Sequence, residues 1–495
     1  MSSDHLGRAP AGEPAADFAR GYFILVLVAI GVFQAAQVVR GYYLDADDWF
    51  VLEMGRAVCE GPRFDHLSRL WTDEPTWRPL LTLRAGLEWC LFGAAPFPRY
   101  LVNVALHGLC AYWLAGVAGS LGLSAGVRWA TALLYVAHPI HGEALGWFHS
   151  GFEGITVDAL LLGALRLASL GHRAAALSVF QLALFTRENA LVFVPVVGAL
   201  AALRGLPGQR LRVAVAAMAP AVAVVVANIV LRVLVVRADA AATGVGSFHL
   251  VESPGAALLT TLLHPWVPVH PALEGRIGLW LMLLSLPVGL LAIGGRSGLR
   301  VLGICLGVYA LLAAPFVPVF HEATRFLEAA PGGIEQRWYF FHLPVAALVV
   351  WPAVVLSRRF PCRAFALLVA ALTGLFLVVQ LLDTRWWVQR SVAAERMADT
   401  VDAAVRAGSR SVGVRVSGET DADELAEQVF LNAATRLGAG SRGLRVVHRR
   451  DGRLEEARHG SRLGRKWGAL LDEPPPGTRW WRVDALGETL VSDGP

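Results

Sequence analysis

The chain contains few charged residues and almost no lysine: 17% of its 495 residues are charged, and Lys466 is the only lysine. A soluble protein has nearer a quarter of its residues charged. The five cysteines are scattered, with no CxxC pair and no metal-ligand spacing. These shortages exclude a disordered chain, a nucleic-acid-binding protein and a disulfide-stapled secreted scaffold. A mean hydropathy of +0.51 instead indicates a multi-pass membrane protein.

Apolar runs recur along most of the chain, and a membrane-spanning helix needs about 20 such residues. We predict eleven spans, near residues 21–40, 100–120, 124–138, 152–169, 174–186, 189–203, 213–236, 277–294, 301–318, 338–356 and 364–382. The run at 79–98 carries Arg84 and Glu88, so we predict an interfacial or re-entrant helix there. The first run has no small-residue cleavage site and is expected to be an uncleaved anchor.

The distribution of charge predicts the orientation. With the N-terminus inside, the inner loops contain eleven arginines and no acid, whereas every acid between Asp45 and Asp383 lies in or next to an outer loop. The inner arginines are Arg128, Arg166, Arg173, Arg204, Arg210, Arg212, Arg296, Arg300, Arg358, Arg359 and Arg363. We therefore predict a cytoplasmic tail at 1–20 and a membrane domain at 21–383, with residues 41–99 as its first outer loop.

The composition changes after Asp383. Residues 384–495 carry 34 charged residues among 112. Helical patterns at 391–407 and 421–437 alternate with strand-like runs at 411–416, 444–448 and 480–484. The fold prediction is therefore an all-α multi-pass membrane protein of about 11 transmembrane helices, with a small soluble α/β domain at 384–495 outside the membrane.

Two acidic or histidine-rich motifs stand at predicted outer ends of spans. Asp45, Asp47 and Asp48 follow the first span, where carboxylates suit a general base or metal ligands; an ordinary acidic flank is the alternative. His138, His141 and Glu143 follow the third span and suit metal or phosphate binding. Pro139 forbids a plain helix through this second motif, so its two histidines need not share a face.

Two arginine motifs lie at predicted membrane boundaries. Arg187 and Glu188 stand between two apolar runs that leave little room for a loop. Charges there are costly unless paired or hydrated, which makes them functional candidates; a structural ion pair is the alternative. Arg337, with Glu335 before it, precedes the tenth span, where a guanidinium suits an anionic headgroup or snorkels at a helix start.

The order of these motifs resembles the GT-C superfamily of polytopic glycosyltransferases, which use lipid-phosphate-linked sugars. The chain looks most like the transmembrane and tetratricopeptide-repeat O-mannosyltransferases, without the repeats, and more distantly like protein mannosyltransferases and aminoarabinose transferases. The matching stretches are DADDW at 45–49, WRPLLTLRAGLEWCLFG at 77–93, FPRYLVNVALHGLCAYWLAGVAGSLG at 97–122, HPIHGEALGWFHSGFEGI at 138–155, FTRENALVFVP at 185–195 and QRWYFFHLP at 336–344. Arg187 replaces a lysine usual in relatives, and Gln336 stands where they have a glutamate.

The resemblance implies transfer of a sugar from a polyprenyl- or dolichyl-phosphate donor to an acceptor hydroxyl on a protein, lipid or glycan. Asp47 or Asp48 would activate that hydroxyl, and Arg187 and Arg337 would hold the donor phosphate. Asp45, His138, His141, Glu143 and Glu188 would support the site. A divalent metal (Mg, Mn or Ca) is the only cofactor considered, with Asp48, His138 and Glu143 as its candidate ligands.

The expected location is the bacterial inner membrane, with the active site and the C-terminal domain on its extracytoplasmic side. Membrane lipids are the expected surroundings, and no nucleic-acid partner is expected. A transporter or flippase of a lipid-linked saccharide is the main alternative. It requires polar residues at the midplane and related halves with interrupted helices, and the charges here gather instead at one face. A sensor or assembly protein would leave the acidic first loop without a purpose.

Overall fold

Up to Arg406 the described part of the chain consists of helices joined by short turns. This computed structural model describes residues 13–43, 46–60, 78–235, 276–313 and 342–406, and six strands between 411 and 493. The helices are α1 (Glu13–Val38), α2 (Ala46–Glu60), α3 (Pro79–Phe92), α4 (Pro96–Ser120), α5 (Ala125–Val136), α6 (Gly142–Gly146), α7 (Phe148–Ser150), α8 (Thr156–Ser169), α9 (Arg173–Leu184), α10 (Phe193–Arg204), α11 (Arg210–Val235), α12 (Ile277–Ala313), α13 (His342–Leu348), α14 (Val350–Arg359) and α15 (Cys362–Arg406). Two 3-10 helices (Pro139–His141 and Glu188–Val192) and a π-helix (Gly151–Ile155) join some of them.

Several of these helices have the length and composition of membrane spans. Among the described residues, α4, α11, α12 and the first part of α15 (Cys362–Gln389) are long and apolar enough to cross a bilayer, and α9 is apolar but shorter. Large apolar side chains such as Leu211 and Leu234 are more than three-quarters exposed. Exposed apolar area on this scale is covered by lipid in a membrane protein. The protein is therefore a helical multi-pass integral membrane protein, and each of the eleven predicted spans coincides at least in part with a helix.

Three boundaries differ from the sequence prediction. The spans predicted at 277–294 and 301–318 are joined within α12 at a kink, where Gly295 has a φ of 55° that favours glycine. The predicted domain boundary after Asp383 falls inside α15, which runs unbroken to Arg406. The run at 79–98 divides between α3 and the start of α4, and the 14 residues of α3 are too short to span a bilayer at about 1.5 Å per residue.

The first predicted outer loop contains a cross-linked helix pair. A disulfide joins Cys59 near the end of α2 to Cys90 near the end of α3. The two helices approach closely because both carry glycine at the contact: a Cβ on Gly55 would lie 2.5 Å from the carbonyl oxygen of Ala85, and one on Gly86 would touch Val58. Since disulfides form in oxidising compartments, this pair supports the predicted placement of the loop outside the cytoplasm.

Buried amides join the helices at the centre of the molecule. Gln34 of α1 and Gln380 of α15 are hydrogen-bonded to each other at 2.9 Å, and each donates to the carbonyl oxygen of Val136 at the end of α5. In apolar surroundings such side-chain bonds contribute to helix association. They fix the segment that follows Val136, which leads directly into the histidine motif.

The C-terminal region forms a mixed six-stranded sheet. Its strands are β1 (Ser411–Val416), β2 (Arg445–Arg450), β3 (Arg453–Ala457), β4 (Leu470–Leu471), β5 (Arg479–Val483) and β6 (Leu490–Asp493). The order is β4-β3-β2-β1-β5-β6, with β1 parallel to both β2 and β5 and the outer pairs antiparallel. The three predicted strand runs are confirmed to within two residues, whereas the helix predicted at 421–437 lies outside the described residues.

Candidate active site

Glu153 is the centre of a buried group of charges. Its two carboxylate oxygens both accept a hydrogen bond from Nη1 of Arg78, at 2.9 Å each. Nη1 of Arg187 lies 3.5 Å from one oxygen, and Nε2 of His149 lies 3.7 Å from the other. The Glu153 side chain is 8% exposed, so these contacts form largely away from water.

Glu188 extends the same group on its outer side. Arg78 Nη2 donates to it at 3.2 Å and Arg232 Nη1 at 2.9 Å. The Glu188 side chain is 45% exposed. Its partial burial acts to raise its pKa, but the positive charges of Arg78 and Arg232 outweigh this effect and hold that pKa below its ordinary value. We call Arg78, Glu153, Arg187, Glu188 and Arg232 the arginine–glutamate cluster. Its described members are three guanidinium groups and two carboxylates.

The chain folds locally so that these residues meet. Helix α9 ends at Leu184, and only a short turn separates it from the 3-10 helix that begins at Glu188. Leu80, at the start of α3, donates its backbone N–H to the carbonyl oxygen of Phe185 in that turn. Arg78, just before α3, is thereby held beside Arg187 and Glu188.

A π-helix presents Glu153. The five residues Gly151–Ile155 form this wider turn at the start of α8, a feature frequent at functional sites. Arg84 of α3 supports the turn: its Nη1 donates to the carbonyl oxygen of Phe152 at 2.9 Å, and its guanidinium lies over the Phe152 ring. Arg84 also donates to Asn103 and pairs with Glu88 at 2.7 Å. The ion pair within α3 therefore also anchors the segment that carries Glu153.

Two buried acids are bonded to the turn just before the π-helix. Asp48, in the first turn of α2, accepts the backbone N–H of His149 at 2.6 Å and is fully buried. Glu143 accepts a hydrogen bond from the hydroxyl of Ser150 at 3.1 Å. Since His149 also approaches Glu153, the short run from His149 to Glu153 connects the predicted acidic loop to the arginine–glutamate cluster.

The histidines form a separate group of rings in tilted and edge-to-face contact. The ring centre of His141 lies 4.4 Å from that of His107 and 4.9 Å from that of His342, and His138 lies 6.3 Å away. Nε2 of His107 contacts the carbonyl oxygen of Val136, and Nε2 of His342 contacts that of Ile140, both at 3.0 Å. The sequence prediction that Pro139 breaks the helix is confirmed, because a 3-10 helix begins there.

The predicted metal ligands are engaged with different partners. Asp48 contacts His149, Glu143 contacts Ser150, and Nδ1 of His138 accepts the backbone N–H of Ile140 at 3.3 Å. Throughout the described part of the chain, no three His, Cys, Asp or Glu side chains converge as a ligand set. Asp48, His138 and Glu143 therefore do not fit a shared metal, and no step below depends on one.

The structure brings together some of the predicted site residues and not others. Arg187 and Glu188 each form an ion pair with a residue distant in sequence. The simple structural ion pair predicted as their alternative role is not among the described ion pairs. Asp45, Arg337 and the side chain of Asp47 lie outside the described residues. Arg78 and Arg232 were not predicted. Arg232 carries a signal that could have found it, since it is a charge within an otherwise apolar run.

No protein-family model matches the chain, and no curated protein matches it. Among solved structures, ArnT from Cupriavidus metallidurans bound to undecaprenyl phosphate is similar at 12% identity and a TM-score of 0.49, covering 86% of this chain and 93% of that chain. The same protein in its apo state is similar at 12% identity and a TM-score of 0.48, covering 91% and 98%. At this identity and score the likeness carries no inference about activity.

Proposed function

We propose that the protein is a membrane glycosyltransferase. It moves a sugar, a hexose or pentose, from a polyprenyl- or dolichyl-phosphate donor to an acceptor hydroxyl at the extracytoplasmic face of a bacterial inner membrane. The observation that carries this proposal is the run from His149 to Glu153. This run is bonded to the acid Asp48 at one end and to the arginine–glutamate cluster at the other.

The two ends of this run match the two requirements of the reaction, which are a site for the donor phosphate and a base for the acceptor hydroxyl. The sugar is transferred to the acceptor oxygen and polyprenyl phosphate leaves as a phosphate monoester anion, so the site must stabilise negative charge more than it must donate a proton. A guanidinium can bind two phosphate oxygens at once, and the cluster places three guanidinium groups near one another. The donor phosphate is therefore assigned to Arg187 and Arg337, with Arg78 beside Arg187 as an additional positive charge.

The acceptor hydroxyl needs a base, and a carboxylate within hydrogen-bond reach supplies one. Asp48 accepts the N–H of His149 through one oxygen, and Asp47 is its neighbour in the first turn of α2. We assign general-base function to this pair. Glu143 and Glu188 hold neighbouring side chains in place, and His138 and His141 pack behind the turn that carries Glu143.

The test is release of polyprenyl phosphate by the full chain reconstituted in nanodiscs with a panel of polyprenyl-phosphate sugars. Asp47→Asn and Asp48→Asn are expected to differ in activity. The variant that lacks the general base should lower kcat about 10²-fold or more. Asp48→Asn keeps an oxygen that accepts the N–H of His149. Arg187→Gln and Arg337→Gln are expected to raise the donor KM, because they remove binding present in both ground and transition states.

The control variant is Arg166→Gln. Arg166 lies at the opposite end of α8 from Glu153 and donates a hydrogen bond to the carbonyl oxygen of Gly116. Removing its guanidinium should therefore leave the donor KM unchanged. Full activity of both aspartate variants, together with unchanged donor affinity in Arg337→Gln, would contradict the proposal. Movement of an intact lipid-linked sugar across vesicles without cleavage would then favour a flippase, which needs a phosphate anchor but no base.

A further inference from the structure

A small open recess lies at the other arginine-rich end of the helices, between the kink of α12 and the end of α14. It is shallow: the space against its walls, together with the open solvent in its mouth, is about 180 Å³, and only about one water fits inside. Its polar lining comes from Ser297, Arg358 and Arg359. These residues lie at the end of the bilayer predicted to be cytoplasmic. None of them belongs to the candidate active site.

The recess exists because α12 lacks side chains where it faces α14. Gly294 and Gly298 are buried there, and a Cβ on either would lie 3.3–3.4 Å from the side chain of Val355. The left-handed backbone at Gly295 interrupts the helix, and the carbonyl oxygen of Gly294 accepts hydrogen bonds from Ser297 Oγ at 3.2 Å and from Arg359 Nη2 at 3.3 Å. One edge of the recess is therefore fixed by polar contacts to backbone.

Among the described residues, the arginines of the recess have no carboxylate partner. Helices α12, α13 and α14 contain no Asp or Glu, and Arg358 and Arg359 form no ion pair within the described residues. Arg359 makes one described hydrogen bond, whereas a guanidinium carries five N–H donors. A positively charged recess at the end of two apolar helices therefore retains donors for an anion.

The surface beside the recess is apolar. On α12, Leu299 is 54% exposed and Ile304 is 51% exposed, and Ile304 belongs to the predicted span at 301–318. An acyl chain can lie along such a surface while its headgroup contacts the arginines at the mouth of the recess. Basic recesses between membrane helices bind anionic lipid headgroups by this combination of charge and apolar area.

We propose that this recess binds the phosphate headgroup of an anionic phospholipid, with Arg358 and Arg359 contacting the phosphate and the exposed face of α12 contacting an acyl chain. The proposal is independent of the proposed enzymatic activity. Arg296 and Arg300 are equally exposed on α12 but do not line the recess, so they provide a matched control of the same charge.

The experiment is native mass spectrometry of the purified full chain with dioleoyl phosphatidylglycerol or dioleoyl phosphatidylcholine added. We expect retained phosphatidylglycerol adducts and few phosphatidylcholine adducts. The double variant Arg358→Gln/Arg359→Gln should lower phosphatidylglycerol affinity about 10- to 30-fold, since each arginine near a surface of anionic lipid raises the affinity about fivefold. The double variant Arg296→Gln/Arg300→Gln should retain wild-type affinity.

Ser297→Leu tests the recess itself without a change of charge. Ser297 is exposed at the mouth, and a leucine there should fill the recess and lower phosphatidylglycerol affinity at an unchanged thermal unfolding midpoint. An equal loss of phosphatidylglycerol affinity in the two arginine double variants, or retained affinity in Ser297→Leu, would overturn the proposal. The arginines would then act only as ordinary positive charge at a membrane boundary. Displacement of the lipid by millimolar glycerol 3-phosphate would also overturn it, because a soluble phosphate would then account for the site.

Discussion

The ion pair between Arg78 and Glu153 should stabilise the protein only when both charges are present. Glu153→Gln keeps the shape of the side chain but removes its charge, and Arg78→Gln removes the guanidinium. Each single change leaves the other group in a site that is only 16% exposed at Arg78 and 8% at Glu153. Either change alone is therefore expected to destabilise the protein, because the remaining charge loses its nearest partner in a site with little access to water.

The size of the coupling follows from the geometry. Nη1 of Arg78 lies 2.9 Å from each oxygen of Glu153, and a hydrogen bond to a charged group contributes about 1.5–3 kcal/mol. The two contacts share one nitrogen, and Arg78 also retains Glu188 at 3.2 Å. We therefore expect a coupling free energy of about 1.5–3 kcal/mol, the value of one such bond and not of two.

The assay is a double-mutant cycle on the free energy of unfolding, from denaturant titration in mixed micelles followed by tryptophan fluorescence. A second cycle combines Glu153→Gln with Arg166→Gln, whose site is about 20 Å away along α8 at 1.5 Å per residue. That pair should be additive within about 0.5 kcal/mol. If the effects of Arg78→Gln and Glu153→Gln were also additive within about 0.5 kcal/mol, the reasoning would be refuted, because the contact would then contribute no energy of its own.

Two further predictions concern the packing of the helices. Cys59→Ser and Cys90→Ser should each lower the free energy of unfolding by about 3–4 kcal/mol, as loop closure over a separation of 31 residues predicts; the double variant and the reduced wild type should match the single variants in the same titration. Gly146→Ala should cost about 1–3 kcal/mol, because its Cβ would lie 2.8 Å from the backbone oxygen of Thr384. Gly108→Ala meets nothing within 4 Å and should be neutral or slightly stabilising, so equal unfolding midpoints for the two alanine variants would contradict this packing.

Local patterns predicted the helices and strands well because the cause of each is local. Apolar runs set the spans, alternation set β1, β2 and β5, and Pro139 set the break before His141. The helical pattern predicted at 391–407 is part of α15, but its continuity with the span predicted at 364–382 was missed for the same reason. Hydropathy falls where the helix leaves the membrane, and the fall resembles a domain boundary although the backbone hydrogen bonding continues.

The site could be predicted only in part, because its contacts join residues far apart in the chain. A charge between two apolar runs identified Arg187 and Glu188, but no local pattern shows that their partners are Glu153 and Arg78. The disulfide was missed for the same reason: Cys59 and Cys90 are 31 residues apart and form no recognisable motif. The π-helix at Gly151–Ile155 depends on tertiary contacts such as the one from Arg84 to the carbonyl oxygen of Phe152.

The cysteines permit a direct test of the predicted orientation. Cys59 and Cys90 are joined in a disulfide, Cys110 and Cys305 are buried, and Cys362 is exposed. A membrane-impermeant maleimide should therefore report on Cys362 alone. This residue begins α15 beside the arginine-rich inner loop, whereas the disulfide supports an oxidising compartment for the opposite end of the helices. Labelling of Cys362 should thus require permeabilised cells and disappear in Cys362→Ser, and labelling in intact cells would reverse the orientation and place the arginine–glutamate cluster inside.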